Sequence, residues 1–311
     1  MKISVIMSVF NETLEWLKEA VESILNQTYQ NLEFIIIVDN PNLPLEINHY
    51  LEDIVHRDIR VSVCRNRENI GLAKSLNRGI ELATGEYIAR MDADDVSLPD
   101  RMLKEIQYLK LHNLDLVSSN KYNIDEHGNI LSQDHDIIKN PNLAMPYVNL
   151  VNHPSVLAKR SVIKEMGGYR PFINSEDYDL WLRIIEAGYK IGIINEPLIQ
   201  YRLRKNSASI GRQLEQFYIA EYIRQLHYER KRYGGTDSFS IENMYEFLKG
   251  KNINGMKKEK YMKAKLHIND AVDYIYIKKC EKALKEMILA FYFFPPLAIR
   301  ETISYVKTRR K

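Results

Sequence analysis

The sequence has few cysteines and no long apolar run, and each of these features excludes some classes of protein. Its 311 residues include two cysteines, Cys64 and Cys280, which lie far apart and lack metal-ligand spacing. This excludes a disulfide framework and a cysteine-ligated zinc site, and it predicts free thiols in a reducing compartment. No apolar run reaches the roughly 18–20 residues of a membrane span. Because Met1–Phe10 also lacks a signal-peptide core, we expect a cytoplasmic protein.

Glycine-rich nucleotide-binding motifs are missing as well. No Gly-x-Gly-x-x-Gly turn follows the first predicted strand, which argues against a dinucleotide-dependent oxidoreductase. The chain also lacks the Gly-x4-Gly-Lys-Ser/Thr motif of P-loop enzymes. The segment Ser8–Thr13 contains neither glycine nor lysine, so the glycine-rich basic loop of a sugar-nucleotide pyrophosphorylase is absent too. A nucleotide site in this chain must therefore be built in another way.

Charge is unevenly distributed along the chain, although the net charge is only +3. Residues 1–201 carry 20 Lys and Arg against 29 Asp and Glu, whereas residues 202–311 carry 24 against 12. An acidic first part and a basic second part predict two units with different partners. We expect no nucleic-acid partner for either unit.

Hydrophobic periodicity predicts an α/β fold in the first part of the chain. Four short apolar segments have the pattern of buried strands, and each is followed by apolar residues at helical spacing. The strands are predicted at Ile3–Phe10, Leu32–Val38, Ile59–Cys64 and Tyr87–Met91. The helices are predicted at Leu14–Leu25, Leu45–Val55, Gly71–Ala83 and from Pro99 to Leu111. This alternation is typical of a mostly parallel sheet with right-handed crossovers.

The pattern changes beyond residue 111. The predicted elements there are a hairpin around Glu126–Gly128, a short helix at Asn140–Leu150, and strands at Lys190–Ile194 and Ile199–Tyr201. The rest of the chain is predicted to be helical, at Gln213–Arg232, Ser240–Lys249, Tyr261–Ile277 and Glu281–Phe293. The apolar run Met287–Ile299 is broken by two prolines and is too short to span a bilayer.

Three carboxylates, Asp92, Asp94 and Asp95, follow the fourth predicted strand. Clustered carboxylates repel one another, so their place at the tip of a buried strand indicates a use. Carboxylate oxygens suit hard cations such as Mg²⁺ or Mn²⁺, which commonly bind together with a diphosphate. Open α/β sheets bind ligands at the carboxyl ends of their strands, where Asp39 also falls. The pattern predicts a metal–nucleotide site, and the alternative is a solvated acidic turn.

A series of short motifs, each weak alone, has the order and spacing of a known enzyme family. The motifs are Ser4–Glu12, Ile36–Asp39, Asn69–Ala73, Asn77–Ile80, Ala83–Ile88, Asp92–Asp95, His153–Ser155, Gly167–Tyr169, Glu176–Arg183 and Tyr201–Ser209. In these motifs the chain resembles the family 2 inverting glycosyltransferases of the GT-A fold, of the type that builds bacterial polysaccharides and lipopolysaccharides. Asn40-Pro41 departs from the family, which usually has Gly-Ser after this aspartate.

The resemblance implies transfer of a hexosyl-type sugar from a nucleoside diphosphate sugar, expected to be a UDP-sugar, to an acceptor hydroxyl with inversion. The implied nucleotide-binding residues are Val9, Phe10, Glu12, Asp39, Lys74, Asp92 and Ala93. Asp94 and Asp92 are the implied ligands of Mn²⁺ or Mg²⁺, and the ion would neutralise the leaving diphosphate. Arg78 is an alternative to Lys74 as the positive charge near the phosphates.

The resemblance also implies an acceptor side. Asp177 is the implied general base, because a carboxylate there must take the proton of the attacking hydroxyl. Glu176, His153 and Trp181 are implied to position the acceptor, a saccharide or a lipid-linked saccharide. Each of the four has an ordinary structural alternative: an acid that favours a helix start, a buried hydrogen bond or a core side chain.

One family landmark is altered, since Arg204 stands where a histidine is usual. A guanidinium group cannot ligate a cation but pairs directly with phosphate, so we expect Arg204 to bind the diphosphate. The changes at Asn40 and Arg204 keep a second hypothesis open: a catalytically degenerate scaffold that only binds sugar nucleotides within a glycan assembly complex.

The sequence predicts two domains, a GT-A domain at residues 1–209 and a basic helical extension at residues 210–311. Basic amphipathic helices are suited to an anionic lipid surface, so the extension suggests a peripheral position on the inner face of the plasma membrane. The alternative is an ordinary helical subdomain with solvated lysines.

Overall fold

The computed structural model describes residues 1–134, 140–204 and 212–309, which form two compact units. One unit comprises residues 1–142 and 150–207, and the other comprises residues 143–149 and 208–311. The domain boundary expected at residues 209 and 210, together with the motif residues 205–209, lies outside the described residues. That boundary therefore stays a prediction.

Residues 1–204 alternate between strands and helices, as the periodicity predicts. The strands are β1 (Ile3–Val9), β2 (Leu32–Val38), β3 (Val61–Arg65), β4 (Tyr87–Asp92), β5 (Val96–Ser97), β6 (Leu116–Ile124), β7 (Ile130–Gln133), β8 (Leu157–Lys159) and β9 (Ile191–Arg202). The helices are α1 (Leu14–Leu25), α2 (Leu45–Arg57), α3 (Leu72–Leu82), α4 (Arg101–Leu111), α5 (Pro141–Ala144), α6 (Arg160–Glu165) and α7 (Glu176–Glu186).

The strands form one sheet in the order β3-β2-β1-β4-β8-β6-β9-β5, with β7 paired to β6. The long pairings are parallel, whereas the short strands β5, β7 and β8 pair antiparallel. This confirms the predicted α/β fold. The central strand β1 is apolar on both faces, and Val5, Ile6 and Met7 are almost fully buried, as expected of a strand covered by helices on both sides.

Several element boundaries differ from the predicted ones. β6 and β9 are each one continuous strand, because register shifts near Asn120 let β9 continue through Pro197. The helix predicted at Asn140–Leu150 is a single turn. β3 begins at Val61, while Ile59 is fully exposed before it.

The unit that contains residues 208–311 is helical. Its helices are α8 (Gln213–Arg232), α9 (Ile241–Gly250), α10 (Gly255–Tyr276), α11 (Cys280–Phe293) and α12 (Pro295–Arg309). Its core includes Phe217, Tyr261 and Phe294. α12 was not predicted, because Pro295-Pro296 was interpreted as a break, yet proline fits the first turn of a helix.

Two expectations about the chain as a whole can be compared with the described ranges. Within them, no helix combines the length and the apolar character needed to cross a bilayer. Cys64 and Cys280 are free thiols, as predicted.

Candidate active site

The site is built at the edge of the sheet where β1, β2 and β4 end. β1 lies between the other two strands, with Val9 opposite Val38 on one side and Ser8 opposite Asp92 on the other. Because all three strands are parallel, Asp39 and Asp92 are brought to the same edge, on either side of β1. This is the arrangement that the sequence predicted.

Asp39 organises the loop before α3. Its buried carboxylate accepts hydrogen bonds from Asn66 Nδ2 at 2.7 Å and from the backbone N–H groups of Ile70 and Gly71, each at 2.9 Å. Arg78, at first a candidate for phosphate binding, instead donates to the Arg65 carbonyl and to the Asn66 side chain. Asp39 therefore fixes the loop before α3 through its carboxylate.

The end of β1 is held by two short contacts. The backbone N–H of Phe10 donates to Glu12 Oε2 at 2.8 Å, and Asn40 Nδ2 donates to the carbonyl of Phe10 at 2.7 Å. Asn40, which replaces the usual glycine, thus ties the ends of β1 and β2 together. Val9 is fully buried and its carbonyl accepts a hydrogen bond from the backbone N–H of Asp39, whereas Phe10 is exposed.

The other predicted phosphate-side residues lie close by in the chain. Lys74 is exposed in the first turns of α3, on the same helix face as Arg78. Ala93 is buried between Asp92 and Asp94, where a larger side chain would have little room.

The acidic turn after β4 is fixed to the end of β9 by Arg202. Its backbone N–H donates to Asp95 Oδ1 at 2.8 Å, and its Nε donates to the Asp94 carbonyl at 2.8 Å. The buried guanidinium group also pairs with Glu19. Asp95, 1% exposed, is therefore a structural acid rather than a ligand-facing one.

Burial raises the pKa of both buried carboxyls of this turn, Asp94 and Asp95. Burial, and then the charge of Asp92, raise the pKa of Asp94 to about 7, against the opposing charge of Arg204. Arg204 Nε lies 2.7 Å from Asp94 Oδ2. The guanidinium groups of Arg204 and Arg202 both lie over the ring of Trp16, 5.6 Å from its centroid. Arg204 is thus placed beside the acidic turn, where it can meet a phosphate.

The chemistry of this turn fits a divalent cation. Asp94 is buried beside the charge of Asp92, and both raise its pKa, so a bound cation would favour its ionised form. Asp95 Oδ2 is also buried with no hydrogen-bond partner within the described residues. A hard cation would be held by Asp94 and Asp92. Within the described residues, the one group of three potential ligands within 4.8 Å of each other is His267, Asp270 and Glu286, so the turn is not a complete protein cage.

The acceptor-side acids begin helix α7. Glu176 and Asp177 are 7% and 9% exposed, in the first turn of the helix. Ser175 precedes them with φ of +64°, a strained conformation for serine, and it gives no side-chain cap hydrogen bond to the described chain. Serine is a preferred N-cap residue, but Ser175 occupies this position without capping the helix through its side chain. Burial, and then the charge of Asp177, raise the pKa of Glu176 to about 7.

Three aromatic side chains pack together beneath these acids. His153 Nε2 lies 2.9 Å from the Tyr169 hydroxyl, and the Trp181 ring meets both rings edge-on. Burial, and then the charge of Arg90, lower the pKa of His153, so its ring is neutral. Trp181 is fully buried, which corrects the expectation that its face packs against the acceptor. Its ring packs against the rings of His153 and Tyr169.

Sequence reasoning missed Arg90, Arg202, Trp16 and Tyr169 as parts of the site. Arg90 is a buried strand residue that donates to Asp92 at 2.5 Å. Only one signal was available for this group, the Tyr-Arg pair that precedes Arg204 in the last motif. Trp16 contacts Arg202 and Arg204, which are distant from it in sequence, and no local pattern predicts these contacts.

The family described as Glycosyl transferase family 2 matches residues 4–166. The chain is also 35% identical over 239 residues to an uncharacterized glycosyltransferase of Methanocaldococcus jannaschii, covering 74% of this chain and 81% of that protein. The chain belongs to this family. A second relative is the O-antigen biosynthesis glycosyltransferase WbnJ of Escherichia coli, 36% identical over 211 residues, with 66% of this chain and 81% of WbnJ covered.

The fold of this family 2 glycosyltransferase is also that of a solved enzyme. The S. aureus TarS fragment 1–349 in complex with UDP-GlcNAc matches 94% of this chain and 91% of its own length, with a TM-score of 0.59 and 13% identity. The likeness shows the GT-A fold.

We predict that the ionised form of Glu176 destabilises the folded protein at alkaline pH. The folded-state pKa of Glu176, about 7, lies above its ordinary value of 4.5, so stability falls as the pH rises through this range. Glu176→Gln should therefore raise the melting temperature at pH 8, by the equivalent of about 1–3 kcal/mol, and flatten its dependence on pH. Thermal unfolding from pH 5 to pH 8 measures this.

Glu33→Gln is the matched control, because it should change the melting temperature in the opposite direction. Although burial alone would raise it, hydrogen bonds from Lys2, Ser4 and Thr84 lower the pKa of Glu33 to about 2. Its contribution to stability is therefore present above pH 4.5 and is lost as the pH falls. Glu33→Gln should lower the melting temperature at pH 8. A lower melting temperature for Glu176→Gln as well would contradict the electrostatic account.

Proposed function

We propose that this protein transfers a sugar from a UDP-sugar to a saccharide hydroxyl with inversion at the anomeric carbon. One observation carries the proposal: two groups of carboxylates, Asp92 and Asp94 at the end of β4 and Glu176 and Asp177 at the start of α7, lie near enough for the charge of Asp92 to act on Glu176. The first pair suits a metal-bound diphosphate, and the second suits an attacking hydroxyl. The solved relative with UDP-GlcNAc supports a UDP-sugar as the donor.

The donor side binds and orients the nucleotide. Asp39 accepts hydrogen bonds from the base or the ribose, and the backbone at Phe10, held by Glu12, lines the nucleoside pocket. Asp94 and Asp92 would hold Mn²⁺ or Mg²⁺, and the ion would supply positive charge for the leaving diphosphate. Arg204 pairs with a phosphate, since its guanidinium group already lies beside Asp94.

The acceptor side removes a proton. Asp177 takes the proton from the acceptor hydroxyl as its oxygen attacks the anomeric carbon on the face opposite the diphosphate. A single displacement of this kind inverts the anomeric centre. Glu176, whose pKa near 7 leaves it partly protonated, can donate a hydrogen bond to a second acceptor oxygen. His153, neutral and fixed by Tyr169, lies in place to orient the acceptor ring.

The acceptor is proposed to be a saccharide or lipid-linked saccharide of a cell-surface polysaccharide. Relatives named for O-antigen and for amylovoran biosynthesis support this class. The amylovoran relative, AmsE of Erwinia amylovora, is 29% identical over 256 residues, covering 78% of this chain and 92% of AmsE.

Asp177→Asn tests the assignment of the base. The amide cannot take a proton, so transfer from a UDP-sugar should fall by about 10²–10⁴-fold while UDP affinity stays unchanged. Glu242→Gln is the control, because Glu242 is an exposed acid in the first turn of α9 and should leave transfer unchanged. Full activity in Asp177→Asn would mean that Asp177 only favours the helix start. A wild-type protein that binds UDP without any transfer would favour the scaffold hypothesis.

We further propose that the C-terminal helices rest on an anionic lipid surface at the inner face of the plasma membrane. α11 and α12 carry an exposed apolar face with helical spacing, composed of Leu284, Ile288, Phe291, Ile299, Ile303 and Val306. Residues 278–311 also carry nine Lys and Arg against three Glu. An apolar face with a positive flank matches the two attractions that hold a peripheral helix on anionic lipid.

Vesicle co-sedimentation tests this contact. The triple substitution Leu284→Ser, Ile288→Ser and Phe291→Ser should release the full chain from vesicles of phosphatidylglycerol, because it removes half of the apolar face. Ile59→Ser is the control, since Ile59 is an exposed apolar residue of the other unit. Equal sedimentation of the triple variant and the wild type would contradict the proposal.

A further inference from the structure

Two residues that are 92 positions apart, Asn77 on α3 and Tyr169 in the loop before α7, are joined by a pair of hydrogen bonds. Asn77 Nδ2 donates to the Tyr169 carbonyl, and Asn77 Oδ1 accepts from the Tyr169 backbone N–H, each at 2.8 Å. One side chain therefore satisfies both backbone groups of Tyr169, as a neighbouring strand would. A flipped amide would place donor against donor and acceptor against acceptor, so the two bonds fix its orientation.

The helix that carries Asn77 is held close to the sheet by Gly79. A Cβ atom at Gly79 would lie 2.5 Å from Ile6 Cγ2 of β1, so only glycine lets α3 approach β1 this closely. Asn77 lies two residues earlier on α3 and is half-buried. Its amide is thus presented from a helix whose place on the sheet is fixed.

The loop on the other side of the contact is adapted to Asn77. Gly168 has φ of +72°, and a Cβ atom at this position would overlap Asn77 Oδ1. Gly167 has almost the same φ, +73°, but a Cβ atom there would meet nothing within 4 Å. The two glycines therefore share one backbone requirement and differ in their contact with Asn77. Arg183 holds the Gly168 carbonyl at 2.8 Å, whereas Asn77 binds the backbone of Tyr169 itself.

Tyr169 links this loop to the acceptor side. Its ring is buried, and its hydroxyl lies 2.9 Å from His153 Nε2. Burial raises the pKa of Tyr169 and lowers the pKa of His153, so a protonated hydroxyl meets a neutral imidazole. These two groups can share one hydrogen bond, with either of them as the donor. A displacement of the Tyr169 backbone would move the hydroxyl and release the His153 ring from this contact.

We propose that Asn77 is a positioning residue of the acceptor side: by binding the backbone of Tyr169 it holds the Tyr169 hydroxyl against His153, and so sets the orientation of the His153 ring. That His153 faces an acceptor rests on the proposed function, whereas the contacts that lead from Asn77 to His153 do not. An amide suits this role, because it offers one donor and one acceptor in a single plane.

The test follows the ring signals of His153 by NMR in protein labelled at histidine. The chain contains eight histidines, and the signal of His153 is identified by its absence from His153→Gln. Tyr169→Phe lacks the hydroxyl, so it gives the position of this signal without the contact. Asn77→Ala should move the signal from the wild-type position toward that in Tyr169→Phe. Asn77→Asp should do the same, because it keeps the size of the side chain but places an oxygen against the Tyr169 carbonyl.

Gly168→Ala and Gly167→Ala are the matched pair of variants. Both place alanine at a positive φ, so both should lose thermal stability to a similar degree. Only Gly168→Ala adds a Cβ atom against Asn77. It should therefore move the His153 signal, whereas Gly167→Ala should leave the signal at the wild-type position.

A His153 signal that stays at the wild-type position in Asn77→Ala and Asn77→Asp, in proteins that still melt cooperatively, would overturn the inference. So would an equal shift in Gly167→Ala, because the shift would then follow from a strained loop and not from Asn77. The signal can be measured whether or not the protein transfers a sugar. A wild-type protein without any transfer activity would instead refute the proposed function, and the two failures are therefore distinguishable.

Discussion

The repulsion among carboxylates at one edge of the sheet is the constraint on which the site depends. Asp92, Asp94 and Asp95 follow one strand, and Glu176 and Asp177 begin one helix, and all except Asp92 are largely buried. Burial, and then the charge of a neighbouring carboxylate, raise the pKa of Asp94 and of Glu176 to about 7. The fold must therefore supply positive charge nearby, and a cationic ligand should find an electrostatically prepared place.

Three arginines place positive charge beside these carboxylates, and each makes different contacts. Arg202 hydrogen-bonds the acidic turn to the end of β9 and fixes its backbone. Arg204 pairs with Asp94 and lies over Trp16, next to the expected position of the diphosphate. Arg90 is buried and donates a hydrogen bond to Asp92. The stability lost at neutral and alkaline pH is the cost of keeping these acids together, as is common at functional sites.

The fold and the acidic positions could be predicted from the sequence because their signals are local. Buried parallel strands are continuous apolar runs, and the polar residues that follow them mark the ligand-binding edge. The arginine network could not be predicted in this way. Trp16 and Arg202 are 186 positions apart in the printed sequence, yet they are in contact in the folded chain. Two other features were not predicted from the sequence: the continuation of β9 through Pro197 and the helix that starts at Pro295. In both cases the proline was interpreted as a break, although the local geometry accepts it.

The central claim is that this sheet edge binds a sugar nucleotide with the help of a cation. Calorimetric titration with UDP, GDP, CDP and dTDP, each with Mn²⁺ and with EDTA, tests it most directly. The account predicts tight binding of UDP that is lost with EDTA, and weak binding of the other three. Binding of UDP that is equally tight with EDTA would contradict the role of Asp94 as a metal ligand. Arg204 would then be the group that supplies positive charge to the diphosphate. No binding of any nucleotide under either condition would contradict the claim itself.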